Sequence, residues 1–304
     1  MTVKTKEQSA VTEPRAHNGF SLISNEKLLQ LYTAMVQYRM IAERARNLSQ
    51  RSAFAGKGEF AVGHEAAQVG VTIDLLPEDT IAPSHQGFMA GFIKGEPLDN
   101  IFSSLPVCAA DPDLTMQLDI AIEAALANKT KKNGKIAVVF LDDRTASPGS
   151  WHKALKIADT HQLPILFVYQ NSHSTGVSLL DAPTSGKEMA LKVEACGFPG
   201  ITVDGNDVVA VYRVATEAAT QARKGNGATF IECHSQLIDG CPEIDPAKAR
   251  DPILNMQMYL TRKGLFSEEL KLEAAANFSN GLDAAVALSP HDISLFRHPL
   301  WAVE

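Results

Sequence analysis

A chain of 304 residues with 45% hydrophobic and 21% charged residues can bury a full core, as one large α/β domain or two small ones. Its purely apolar runs, such as Ile136 to Leu141, fall far short of the roughly 20 residues a bilayer span requires, so no membrane segment is expected. A net charge of −7 and a pI near 5.7, with no basic block, argue against nucleic acid or an anionic membrane surface and favour small molecules or other proteins as partners. Cys108, Cys196, Cys233 and Cys241 lack the CxxC spacing of a zinc site or a disulfide framework, which fits a reducing, cytoplasmic setting.

Residues 1–20 carry Lys4, Lys6, Glu7, Glu13, Pro14 and Arg15 without the apolar stretch of a secretory signal, and read as a disordered arm. Residues 21–304 read as a single domain with a C-terminal helical tail from about 252 onward. Leu28, Leu29, Leu31, Tyr32, Met35, Val36, Ile41 and Ala42 recur at helical spacing, with Ser24 or Asn25 as cap and Glu26 in the first turn. Gly56, Gly58 and Gly63 interrupt the pattern, which resumes as a helix from Glu65 to Leu75, stopped by Pro77. A further helix is expected from Gln117 to about Lys129, ending near Asn133 and Gly134.

The rhythm then changes. Lys135 to Leu141, Pro164 to Tyr169, Gly200 to Val203 and Thr229 to Cys233 are short apolar runs rich in β-formers, the pattern of strands covered on both faces. Helical stretches from Trp151 to Thr160, Gly186 to Cys196 and Val208 to Lys224 separate them, and Pro252 to Leu288 forms a helical tail. Alternating strands and helices imply a doubly wound, mainly parallel sheet with helices on both faces. Ligands of such sheets bind at the carboxyl ends of the strands, which singles out the turns after Leu141 and Tyr169. No Gly-x-Gly-x-x-Gly opens a helix, which weakens a Rossmann-type nucleotide reading.

Those two turns carry a resemblance. The stretch Leu141-Asp142-Asp143-Arg144 followed by Trp151-His152-Lys153-Ala154-Leu155 is similar to the signature of the alpha subunits of thiamine-diphosphate-dependent 2-oxo-acid dehydrogenases of the pyruvate, branched-chain and acetoin type. In that signature a strand ends in Gly-Asp-Gly and runs on to a Phe-His-Glu-Ala-Leu helix. Asp143 falls on the signature aspartate, and Gln170-Asn171-Ser172 falls where the family has Glu-Asn-Asn. Ser172 stands 29 residues after Asp143, within the spacing of the family motif, in which Asn-Asn follows Gly-Asp-Gly by about thirty. Val62-Gly63-His64-Glu65-Ala66, Val203-Asp204-Gly205-Asn206-Asp207-Val208 and Arg250-Asp251-Pro252-Ile253 also match, so the resemblance covers residues 25–290.

The resemblance implies the thiamine-diphosphate-binding fold, and thiamine diphosphate with magnesium as cofactors. It implies a separate beta subunit as partner, a 2-oxo acid as substrate, and a lipoyl acyltransferase as recipient of the acyl group. Asp143 is implied as a metal ligand, with Ser172 or Asn171 as the second, because magnesium wants hard oxygen donors. Arg144 and Gln117 fall at cofactor-binding positions, and His85, in Ala82-Pro83-Ser84-His85-Gln86-Gly87, is the candidate proton-transfer residue, although alignment on Gly87 places Gln86 there instead.

The chain departs from the pattern at defined places. Asp142 and Arg144 stand where the family has glycines that let backbone approach the diphosphate, and Ser172 stands for an asparagine. The segment Pro112 to Glu123 lacks the family's glycines and proline, no arginine accompanies His85, and little chain separates Cys233 from Arg250 for the family's long lid loop. Two readings remain open: an active alpha subunit, and a cofactor-free relative that serves as scaffold or regulatory subunit.

Overall fold

The computed structural model describes residues 23–51, 62–82, 88–102, 114–142, 148–172, 193–194, 197–235 and 250–288. The arm of residues 1–20 and nearly all of the helix expected from Gly186 to Cys196 lie outside them.

The long first helix, α1 (Asn25–Arg51), starts where the sequence placed it, with the Ser24 hydroxyl accepting from the Lys27 amide at 3.2 Å. Its buried face runs through Leu28, Leu31, Tyr32, Met35, Tyr38, Ile41 and Ala45, at the spacing of three and four that one helical stripe requires. Helix α2 (Glu65–Thr72) is buried along its whole length and ends earlier than the expected Leu75. The reason is Asp79, whose carboxylate accepts from the Leu76 amide at 2.7 Å and pulls the chain into a turn before Pro77 is reached.

A parallel sheet forms the centre. It comprises β1 (Thr80–Ile81), β2 (Ala137–Asp142), β3 (Ile165–Ser172), β4 (Gly200–Asp204) and β5 (Thr229–Ser235), in the order β1-β2-β3-β5-β4. The helices are α3 (Phe88–Ile93), α4 (Leu114–Lys131), α5 (Pro148–Thr160), α6 (Val208–Arg223), α7 (Pro252–Arg262) and α8 (Glu268–Leu288). The sequence reading found neither β1 nor α3, which are too short to show a period; the helical tail it placed from Pro252 to Leu288 consists of α7 and α8. The break between them is a left-handed Gly264, φ 69°, that closes α7.

Alternation along the strands sorts the core into two faces. Ala137, Val139, Leu141, Ile165, Phe167, Tyr169 and Phe230 pack with Leu118, Ala121 and Ala125 of α4 and Trp151, Ala154 and Ala158 of α5. Val138, Phe140, Leu166, Val168, Ile231 and Cys233 pack on the other side with Ala67 and Val71 of α2 and Val211, Ala215 and Ala218 of α6. Beyond α2, helices α1, α7 and α8 make a further apolar cluster through Leu31, Met35, Met256, Leu260, Leu282 and their neighbours. Strands β2, β3 and β5 are covered on both faces as expected, whereas β4 is an edge strand with Ile201 and Thr202 exposed. Among the described residues no helix is long and apolar enough to cross a membrane.

Candidate active site

The carboxyl ends of β2, β3, β5 and β4 share one edge, because every pairing is parallel. Asp142 stands opposite Gln170, Asn171 opposite His234, Ser172 opposite Ser235, and Asp204 opposite His234 on its other side. The strand that precedes Asp143 in the chain and the strand that carries Asn171 and Ser172 are therefore neighbours. Helices α4 and α5 both meet this edge with their N-terminal turns, since α4 leads down into the start of β2 and α5 begins just after its end.

On the α4/α5 side, Tyr169 stacks on Phe230 with ring centroids 6.1 Å apart, and a polar trio stands one residue step above that floor. Asn171 Nδ2 donates to Glu232 Oε1 at 2.9 Å, and His234 Nε2 lies 3.3 Å from the same oxygen. The Glu232 side chain is fully buried, while that of His234 is 24% exposed and so reaches toward the surface. A carboxylate in such a position is held by the partners that surround it, because burying a charge alone costs several kcal/mol, roughly. Gln117, one turn into α4, is also fully buried. Trp151, one turn into α5, is buried with its Nε1 without a hydrogen-bond partner among the described residues, and its ring lies 4.3 Å from that of His152.

On the α2/α6 side, Gln68 Nε2 donates to Gln170 Oε1 at 3.2 Å. Among the described residues the remaining amide atoms, Gln68 Oε1 and Gln170 Nε2, have no hydrogen-bond partner, and neither does Ser235 Oγ, although all three side chains are fully buried. Gly205 packs against this corner: its amide donates to the His234 carbonyl at 2.8 Å, and a side chain there would meet that carbonyl oxygen at 3.0 Å. Buried polar atoms left over in this way mark an edge completed by something outside the described residues, whether chain, partner, water or ligand.

A clamp braces the edge from outside. Arg39 of α1 donates from Nε to Glu65 at 2.8 Å and from both terminal nitrogens to Asp251, at 2.6 and 3.1 Å. Glu65 also accepts from the Gly63 amide at 3.0 Å, and Asp251 caps α7 by accepting from Ile253 and Leu254. Burial pushes the Glu65 carboxyl above its usual range, against the opposing pull of the Arg39 guanidinium. One guanidinium thus fixes the start of α2, the start of α7 and the middle of α1 together. It joins the Gly-His-Glu-Ala turn to the Arg-Asp-Pro-Ile turn, two of the stretches that carry the resemblance.

Of the residues singled out from the sequence, Asn171 and Gln117 are placed at this edge, and Ser172 is placed by its backbone. His85, Gln86, Asp143 and Arg144 lie outside the described residues. Sequence reading passed over Glu232 and His234. Their signal was present in Thr229 to Ser235, where a glutamate and a histidine alternate with apolar residues on one face of an otherwise buried strand.

Residues 106–294 match the family model for the dehydrogenase E1 component. The chain is 28% identical over 288 residues to the 2-oxoisovalerate dehydrogenase subunit alpha of Bacillus subtilis, covering 82% of this chain and 86% of that protein. It is 30% identical over 284 residues to the 3-methyl-2-oxobutanoate dehydrogenase subunit alpha of Mycobacterium tuberculosis, with 84% and 76% covered. It is also 30% identical over 237 residues to the alpha subunit of the acetoin:2,6-dichlorophenolindophenol oxidoreductase of Bacillus subtilis, with 71% of each covered. The chain belongs to the dehydrogenase E1 component family, and the three relatives named above are alpha subunits.

Proposed function

We propose that this chain acts as the alpha subunit of a 2-oxo-acid dehydrogenase E1 component. Together with a separate beta subunit it would oxidatively decarboxylate a pyruvate-like or branched-chain 2-oxo acid and pass the acyl group to a lipoyl carrier. The observation that carries this reading is the pairing of β2 and β3 as parallel neighbours with Asp142 opposite Gln170, so that Asp143 comes next in the chain after one strand and Asn171-Ser172 close its neighbour. Relatives named for 2-oxoisovalerate and 3-methyl-2-oxobutanoate support the branched-chain end of the substrate class.

The residues present fit thiamine diphosphate held through magnesium. Among the described residues, buried polar atoms without partners stand on both faces of the sheet, Gln170 Nε2 and Ser235 Oγ on the α2/α6 side and Trp151 Nε1 on the α4/α5 side, and the Asn171 amide turns its nitrogen to Glu232, which leaves its oxygen for a hard cation. Asp143 and one of Asn171 and Ser172 would supply protein oxygens to the metal. Arg144 would face the diphosphate, Gln117 would line the cofactor cleft, and His85 would carry a proton to or from substrate. When bound, the cofactor supplies the stabilisation of the carbanion that decarboxylation leaves. The chain's own work is to bind, orient and exclude water.

A second reading, a cofactor-free scaffold or regulatory subunit, is favoured by Asp142 and Arg144 in place of the glycines beside the motif aspartate and by Ser172 in place of an asparagine. Calorimetric titration of thiamine diphosphate with magnesium into the chain, alone and with its beta partner, separates the two. Saturable uptake with decarboxylation of pyruvate or a branched 2-oxo acid supports the enzyme subunit. A stable mixed oligomer that takes up no cofactor supports the scaffold and overturns the first reading.

A further inference from the structure

We infer that the groove between the ends of α4 and α5 is a docking surface for a short acidic polypeptide segment of a partner protein, held by lysines beside one apolar anchor point. The groove has a volume of about 430 Å³ and is lined by Leu126, Lys129 and Lys132 from α4 and the turn after it, and by His161 and Gln162 just beyond α5, all of them exposed. Helix α4 leads into the start of β2 and α5 into the start of β3, so the groove lies at the amino edge of the sheet, opposite the candidate active site. The 13 residues of α5 span roughly 20 Å, which is far enough for both places to be filled at once.

The argument is one of charge complementarity. The stretch from Lys129 to Lys135 holds four lysines and no acidic residue, in a chain whose net charge is −7. Lysines near a helix C-terminus have an ordinary use, which is to meet the last carbonyls. Lys129 is used in this way, donating to the His161 and Gln162 carbonyl oxygens at the end of α5. Among the described residues the side chains of Lys131, Lys132 and Lys135 have no ion pair or hydrogen bond, so that use does not account for them. The acid that touches the lining, Asp159, is bonded to the Gln162 amide and not to a lysine. Lys132 and Gln162 also stand at φ 50° and 44°, the left-handed region where glycine or asparagine is usual, and both line the groove. Gln162 has a local reason, its Nε2 donating to the Asp159 carbonyl at 2.8 Å, whereas Lys132 has none among the described residues. Leu126, 46% exposed, stands one turn before Lys129 and Thr130 on the same helix face, which sets an apolar spot against the cations. That combination selects the partner. A phosphate or a nucleic acid gives the leucine nothing to bury, and the negative chain repels a polyanion that extends past the patch by more than the screening length, about 8 Å at physiological salt. A few glutamates or aspartates around one apolar side chain satisfy both features.

The test is fluorescence anisotropy of a fluorescein-labelled synthetic peptide, glutamates and aspartates around a central leucine, titrated with the full-length chain at low and at physiological salt. Wild type is compared with K131Q/K132Q/K135Q, with L126S, and with R262Q/K263Q/K271Q, which removes the same charge from the α7–α8 region. All substituted side chains are at least partly exposed, and thermal melting confirms that each variant is folded. The expected result is saturable binding to wild type, weakened about tenfold in K131Q/K132Q/K135Q, where three exposed ion pairs are lost together, and less than about twofold in the matched control. L126S, and serine for leucine in the peptide, are each expected to weaken binding about threefold, and the two combined no further, as halves of one contact. Equal losses in the two triple variants mean general charge attraction and overturn the inference. So does a peptide that binds as well without its leucine, or no binding at low salt. Inorganic phosphate or a single-stranded oligothymidylate of equal charge that displaces the peptide at constant ionic strength, and binds more tightly than it, overturns the polypeptide partner in favour of a small anion or a nucleic acid. None of these outcomes bears on the alpha-subunit reading, which is tested at the other edge of the sheet.

Discussion

Cys233 lies on β5 between Glu232 and His234, yet burial and the neighbouring Glu232 charge push its thiol up to about 12. At pH 8 only about one thiol in ten thousand is then ionised, and the thiolate is the reactive form. Native protein treated with iodoacetamide at pH 8 should leave the Cys233 peptide unlabelled by mass spectrometry, and label it fully after denaturation. Arg39 presents the opposite case, a charged group whose removal strands two others. Arg39→Met leaves Glu65 buried without its counter-charge and Asp251 with one partner fewer, and is expected to cost about 3–5 kcal/mol in urea unfolding. Arg39→Lys should recover only part of this, since an ammonium cannot replace a planar fork that reaches two carboxylates.

At the scale of elements, α2 and α6 approach closely because Gly70 has no side chain. A Cβ there would lie 2.8 Å from Val211 Cγ1 and 3.1 Å from the Tyr212 amide nitrogen, and the second of these is backbone that cannot step aside. Gly70→Ala is expected to destabilise by about 1–3 kcal/mol through overpacking, outweighing the helix propensity gained. Combining it with Val211→Ala should cost less than the two separate losses added, since the smaller residue relieves part of the clash; simple additivity in chemical denaturation would contradict the packing account. The α2 to β1 connection is held in the same local way. Asp79, fully buried, receives the Leu76 and Ile136 amides and the Arg223 guanidinium, and so ties that turn to the start of β2 and the end of α6.

Across the whole molecule, the outer helices are fastened to the sheet layers by few ionic contacts and a large apolar contact. Asp74 is one such fastening, receiving Lys27 of α1 at 2.8 Å and the Tyr212 hydroxyl of α6 at 2.6 Å. Burial alone would raise its carboxyl, but the hydrogen bonds from Lys27 and Tyr212 hold it below its usual value. A depressed carboxyl contributes stability above its unfolded value and loses it as pH falls through the lower, folded one. The wild-type melting temperature should therefore fall more between pH 6 and pH 3 than that of Asp74→Asn. The difference will be small, under about 1 kcal/mol, because the group is partly exposed and screened. Equal acid sensitivity of the two proteins would remove Asp74 from the account.

Local pattern determined much of this protein without any structure. The continuous apolar runs of the inner strands and the spacing of three to four in α1 and α6 announce which residues are buried, because burial follows the geometry of each element alone; from this came the parallel sheet and, through the strand-end motifs, the family. Tertiary structure alone decided that Glu232 meets Asn171, that Arg39 meets both Glu65 and Asp251, and that Asp79 meets Arg223. These partners stand as many as 212 residues apart, and each reads by itself as an ordinary polar residue. What joins them is the order of strands in the sheet and the helix layers laid upon it, a property of the packed whole that no window of sequence contains.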